Sequence, residues 1–223
     1  MKQTPILVEH YWDRPVPREH GDADSKPIFH AVGYASTEWE CADRTLIALF
    51  RELNPICRGF ESAYTMTRAY SSIESHRAQR IVLAATAEAY FSRHGEREDF
   101  EREDFEREDF EREDFEREDL RQSVAGIIDA AAWAAERRDD IAHGIAWQSI
   151  SVDGRNVGSF LMPPEYRCEG APPAVPDADD PFGLARARYR YTSADILSFA
   201  AKFHDLAGVI WDCRRKIFRA SGR

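Results

Sequence analysis

The chain lacks any long apolar run. No segment of its 223 residues approaches the ~18 consecutive apolar positions of a membrane-spanning helix. The longest greasy stretch, Val124 to Ala135, is interrupted by Asp129. The opening MKQTPILVEHYW has no apolar core of a secretory signal, so a cytoplasmic protein with no membrane partner is expected. Cysteine is scarce: Cys41, Cys57, Cys168 and Cys213 stand far apart with no C-x-x-C pair. That spacing speaks against a zinc site or a disulfide framework and suits a reducing compartment. Only 4 lysines accompany 26 arginines, a bias we ascribe to genome composition. No group of His, Cys, Asp and Glu shows metal-ligand spacing, so the expectation is no metal and no cofactor.

What is present is charge, concentrated in one place. The net charge is -10, from 40 acidic and 30 basic residues. Residues 96–120 read EREDF four times and then EREDL, which supplies 15 acids and 5 arginines. The remaining 25 acids and 25 bases cancel. The acidity therefore reports the repeat and says nothing about partners of the folded body. At about 100° per residue a five-residue step turns about 140°, so the repeated Phe residues spiral around a helix. Glu98→Arg102, Glu103→Arg107, Glu108→Arg112 and Glu113→Arg117 are i,i+4 pairs in the favourable orientation, each contributing roughly 0.2–0.5 kcal/mol. The expectation is a solvated helical extension, with a charged arm for a partner as the alternative.

Elsewhere apolar periodicity predicts a mainly α protein. Residues 1–36, with prolines and no period, read as an N-terminal arm, and residues 37–223 as one helical domain. Thr37-Glu38-Trp39-Glu40 has the T-x-x-E pattern of a capping box ahead of Leu46, Ile47, Phe50 and Leu53, and Asn54-Pro55 closes that helix. A second helix is predicted over about 62–93, with Met66, Tyr70 and Ile73 and then Ile81, Ala84, Ala85 and Glu88 on its stripe, stopped by His94-Gly95. Leu120, Val124, Ile127, Ile128, Ala131, Ala134 and Ala135 mark the clearest amphipathic helix, ending at Gly144. Residues 147–191 then hold a β-hairpin around Asp153-Gly154, a Pro-rich loop and a short strand candidate at Tyr189 to Tyr191. Thr192 or Ser193 caps a last helix carrying Ile196, Phe199, Phe203, Leu206 and Ile210.

One constellation points to chemistry. Arg138 precedes His143 by four intervening residues. Spacing alone is weak evidence, because 26 Arg and 7 His produce such pairs about 2.5 times by chance. Three occur: Arg14 with His20, Arg137 with His143 and Arg138 with His143. The third has context. Arg138 lies 18 residues after Leu120, about five turns, which places it on the apolar stripe. A charge at the end of a buried face is costly unless paired or working in a cleft. On a continuous helix His143 points about 140° away from Arg138, so the two converge only across a helix break or across a dimer. The plainer readings are a helix-end histidine bonded to a carbonyl and an Arg138 ion pair with Asp139 or Glu136.

The string Arg138-Asp139-Asp140-Ile141-Ala142-His143-Gly144, at the end of a long amphipathic helix, resembles the R-x4–6-H hallmark of the HEPN superfamily of helical ribonucleases. The resemblance implies a HEPN-like helical bundle, a homodimer in which two motifs face one cleft, and metal-independent RNA cleavage. His143 would move the ribose 2′-hydroxyl proton, Arg138 would steady charge on the phosphorane-like transition state, and Asp139 would orient either. The repeat and the hairpin are departures from that pattern. Substrate contact is expected from Arg186, Arg188 and Arg190, which a strand places on one face with Tyr189 and Tyr191 on the other. The alternative there is an edge strand with its tyrosines in the core. Rival functions are a non-catalytic interaction module and a toxin component held by an antitoxin or another protein partner.

Overall fold

The computed structural model describes residues 5–101, 107–150, 156–164 and 187–220. The described residues are mainly helical, with one small hairpin among them. Two short 3-10 turns, Pro5–Leu7 and Glu9–Trp12, precede α1 (Lys26–Leu53), and a third (Pro55–Arg58) leads to α2 (Phe60–Ser71). Then follow α3 (His76–Glu101), α4 (Arg107–His143), β1 (Ile145–Ile150), β2 (Asn156–Met162) and α5 (Ser193–Ala220). No described helix is long and apolar enough to cross a membrane.

Several boundaries differ from expectation. Helix α1 begins at Lys26, where the Asp24 carboxylate accepts the Lys26 amide at 2.8 Å and Pro27 occupies the first turn. Thr37 is therefore mid-helix, and its hydroxyl donates back to the Gly33 carbonyl at 3.0 Å. The predicted second helix is two. Ser72 closes α2, and the Ser75 hydroxyl accepts the Ala78 amide at the start of α3. Helix α3 runs through Gly95 to Glu101 and buries Leu83, Ala87, Tyr90 and Phe91, while Ile81, Ala84, Ala85 and Glu88 face solvent. Leu53, by contrast, ends α1 just before Asn54-Pro55, as expected. The repeat is helical at 96–101 and 107–120 but divided between α3 and α4; residues 102–106 lie outside the described residues. Of the two repeat apolar positions whose side chains are described, Leu120 is buried and Phe115 is exposed.

The chain forms two compact units. The first comprises Met1–Tyr11, Cys41–Trp133 and Asp205–Arg223. Its core holds Leu49, Phe50, Leu53, Leu83, Val124, Ile127, Ile210 and Ile217, with Phe50 stacked on Tyr70 at 4.4 Å. The second comprises Trp12–Glu40 and Ala134–His204. There Phe203 stacks on Trp12 at 6.0 Å and receives the edge of Trp39 at 5.5 Å, beside buried Ile28, Phe160, Met162, Tyr191 and Phe199.

The hairpin in the second unit is antiparallel, pairing Ile145 with Met162 and Trp147 with Phe160; the Asp153-Gly154 turn lies outside the described residues. The outer edge of β2 is covered twice. Asp22 bridges Ser159 and Tyr191 bridges Leu161. Residues Tyr189 to Tyr191 thus contribute a single bridge and no full strand. Gly158 has φ +109°, and a Cβ there would meet the Gly21 backbone at 2.7 Å, so the arm packs against β2 only because both residues are glycine.

Candidate functional site: the end of α4

Helix α4 ends at His143, and Gly144 turns the chain into β1. A Cβ on Gly144 would lie 2.6 Å from Leu161 Cγ and 2.9 Å from the Asp140 carbonyl oxygen, so this turn demands glycine for space. The motif helix is therefore joined to the hairpin without slack.

Neighbouring residues in this segment have opposite fates. Arg137 and Asp140 are buried, at 5% and 7% exposure. Arg138 and Asp139 are half-buried and His143 is exposed. The expectation that Arg138 lies on the apolar stripe is thus corrected. Relative to Leu120, the stripe centres near 0° at Val124, Ile127 and Ala131, but Arg137 sits at about 260° and Ile141 at about 300°. The buried face of α4 turns by roughly a quarter-turn toward its end, because Arg14 of the arm and Tyr189 and Tyr191 before α5 enclose that side.

Asp140 is the hub of this enclosure. Arg14 grips its carboxylate with Nε at 2.9 Å and Nη2 at 3.2 Å, a bidentate pair. Arg137 Nη1 lies 3.4 Å away, and its Nη2 donates to Glu136 at 2.9 Å. The Tyr191 hydroxyl donates to Asp140 Oδ2 at 3.0 Å, and the Tyr189 hydroxyl donates to the Asp140 backbone carbonyl at 2.6 Å. The two rings stack at 4.6 Å. Burial alone lowers the pKa of Arg14, but the hydrogen bonds and charge of Asp140 outweigh it and raise the net value. Burial, and then the charge of Asp140, push the Tyr191 phenol well above its ordinary value. These residues fix the helix end by bonding to one another, although Arg137 Nε is buried without a hydrogen-bond partner.

The sequence-predicted site residues divide accordingly. Arg138 Nη1 donates to Asp139 Oδ1 at 3.1 Å, the plainer of the two readings of that arginine. His143 stands five residues on, about 140° around an unbroken helix, so one chain does not bring it to Arg138. Arg188 is exposed, and the Arg190 guanidinium lies 5.4 Å over the Phe160 ring. Arg186 lies outside the described residues. Tyr189 and Tyr191 are both buried, so the alternating residues have their tyrosines in the core. Sequence reasoning missed Arg14, Arg137 and Asp140. In the RRDD doublet nothing local distinguishes which Arg and which Asp turn inward. Arg14 sits among prolines, where no periodicity assigns it a partner.

No cluster of three or more His, Cys, Asp and Glu suited to a metal occurs among the described residues. Within the first unit, a groove of about 710 Å³ runs between α3 and α4, with Phe91, Val124 and Ile128 among its apolar lining and Glu88, Arg117 and Arg121 among its charged residues. Compared with known proteins, the chain matches no family model, no curated protein and no solved structure.

Proposed function

We propose that the end of α4 is the working part of a metal-independent endoribonuclease. The supporting observation is the division of the segment: Arg137 and Asp140 are locked inside, while Arg138, Asp139 and His143 are accessible at a rigidly anchored helix terminus. These accessible residues are those of the R-x4–6-H pattern. In the reaction, His143 takes the proton from a ribose 2′-hydroxyl. The 2′-oxygen bonds to the adjacent phosphorus, and the bond to the 5′-oxygen breaks. A proton returns to that leaving oxygen, giving a 2′,3′-cyclic phosphate and a 5′-hydroxyl. Arg138 balances the extra charge on the phosphoryl oxygens, and Asp139 holds the guanidinium at 3.1 Å in readiness. Because one helix turns Arg138 and His143 apart, the reading requires two copies, with Arg138 of one chain facing His143 of its partner.

Purified protein is incubated with mixed RNAs in EDTA and the product ends are analysed. Expected are 2′,3′-cyclic phosphate ends, with cleavage reduced about 100-fold or more by His143→Ala. Cleavage that requires added metal and survives His143→Ala refutes the proposal. A second reading, a non-catalytic interaction module, draws on the same angular separation and on the Arg138–Asp139 pair. It predicts a monomer across a light-scattering dilution series and no cleavage at any concentration.

A further inference from the structure

The C-terminal half of α5 carries a stripe that the α4 site does not use. Within the first unit, α5 turns Ile210, Cys213 and Ile217 into the core. Trp211 and Phe218 face outward, with 46% and 43% of their surfaces exposed. They are seven residues apart, two helical turns, so they lie within about 20° of one line and about 10.5 Å along the axis. Arg214 and Arg215 fall between them on the same face. The Arg214 guanidinium lies 4.8 Å over the Trp211 ring, and Glu52 of α1 holds it at 3.3 Å. Arg215 is paired with Asp212 at 2.7 Å, and Lys216 and Arg219 are exposed beside them. From Leu206 to Ala220 the bases are Arg214, Arg215, Lys216 and Arg219 against the single acid Asp212.

We infer that this face binds single-stranded RNA. Two exposed rings on one line, with guanidinium groups between and beside them, match how unpaired strands are held: bases stack on the aromatics and phosphates meet the cations. Arg214 braces the indole, so the ring is presented in a fixed plane and little order is lost on binding. The spacing of the rings spans about three stacked-base steps of 3.4 Å. A duplex, whose bases are already stacked on one another, has nothing to offer these rings. The inference stands apart from cleavage at α4 but supplies that proposed activity with a substrate class.

The probe is a fluorescently labelled oligouridylate made with 2′-O-methyl ribose, which has no free 2′-hydroxyl and so is bound without being cut. It is titrated against the full chain in EDTA, with anisotropy as the readout. Expected is salt-sensitive binding, weakened about tenfold by Trp211→Ala and again by Phe218→Ala. Trp211→Phe should retain most of it. Arg219→Ala should lower the salt slope by about one. Asp212→Asn, which releases Arg215, should tighten binding. Both rings are surface residues, and an unchanged melting temperature certifies the variants. Binding that ignores the Trp211→Ala, Phe218→Ala double variant overturns the inference. So does equal affinity for a duplex, or dissociation of a homodimer by the same substitutions in place of a loss of RNA. Binding by a chain that cleaves nothing would leave this inference standing and remove only the α4 proposal.

Discussion

Replacing Asp140 and replacing Asp139 with alanine should have very different consequences, although the two residues are adjacent and chemically identical. Asp140→Ala removes the carboxylate that binds Arg14 through two nitrogens and lies 3.4 Å from Arg137, whose side chain is only 6% exposed. Removing one partner of a buried ion pair costs about 3–5 kcal/mol, because the other charge is stranded. Two features move this protein to the lower end. Arg137 retains Glu136 at 2.9 Å, itself 62% exposed, and the Arg14 side chain is 24% exposed, so water reaches part of the hub. A loss of about 3 kcal/mol is expected, which for a chain of this size lowers the melting temperature by about 6–12 °C. Asp139→Ala removes a half-exposed pair with Arg138 and should cost under about 0.5 kcal/mol. Asp140→Asn should fall between, since its carbonyl still accepts the Tyr191 hydroxyl but carries no charge. Thermal melting followed by near-ultraviolet circular dichroism reads all three, because Tyr189 and Tyr191 stack beside the site. Equal losses for the Asp139 and Asp140 variants, or a loss under about 1 kcal/mol for Asp140→Ala, would refute the assignment of Asp140 as the hub.

Three further outcomes follow from the same structure. Burial raises the phenols of Tyr191 and Tyr70 above their ordinary 10.0, so the folded state keeps protons that the unfolded chain releases. Their contribution to stability is complete below pH 10 and falls above it by up to about 1.4 kcal/mol per pH unit for each, a slope that Tyr191→Phe should reduce in urea titrations between pH 9 and 11. Burial pushes the Cys213 thiol up to about 12, whereas Cys41 is exposed. In a Cys168→Ser background at pH 8, iodoacetamide should label Cys41 first and Cys213 only as the protein unfolds, as followed by peptide mass spectrometry. Deleting residues 101–110 removes two pentads but spares Leu120, and should move the melting temperature by no more than about 4 °C, while Leu120→Ala costs about 2–3 kcal/mol; a drop above about 10 °C on deletion would show that repeat length sets the packing.

The parts of the fold legible in the sequence are those in which large apolar side chains repeat without interruption. Ile196, Phe199, Phe203, Leu206 and Ile210 define α5, and all five are buried. The change of period after Gly144 located the hairpin. Helix α3 was misphased because alanine is small enough for either face, so Ala84 and Ala85 carried no direction and the bulk of Leu83, Tyr90 and Phe91 decided the register. The start of α1 was hidden by the T-x-x-E pattern at Thr37, which fits a helix interior as well as its beginning; the working signal was Asp24 and Ser25 ahead of Pro27. At the candidate site, the end of the helix before Gly144, with His143 as its last residue, was legible. The inward turn of Arg137 in place of Arg138 was not, since it depends on Arg14 and Tyr191, more than a hundred and about fifty positions away along the chain.

The clasp around the second unit also sets a timetable. Arg14 meets Asp140 126 positions later, Arg18 meets Asp195 177 positions later, and Asp22 receives the Ser193 amide and hydroxyl 171 positions later. A ribosome adding 5–20 residues per second needs about 10–35 seconds to make that last stretch of chain. Throughout it the arm is already made and has none of these partners. Helix α1 can form early from its own backbone bonds, but the arm that precedes it docks last. A chain released before Ser193 therefore leaves the arm unfastened, and the order of residues 18–22 becomes a report on whether residues 193–195 were ever made.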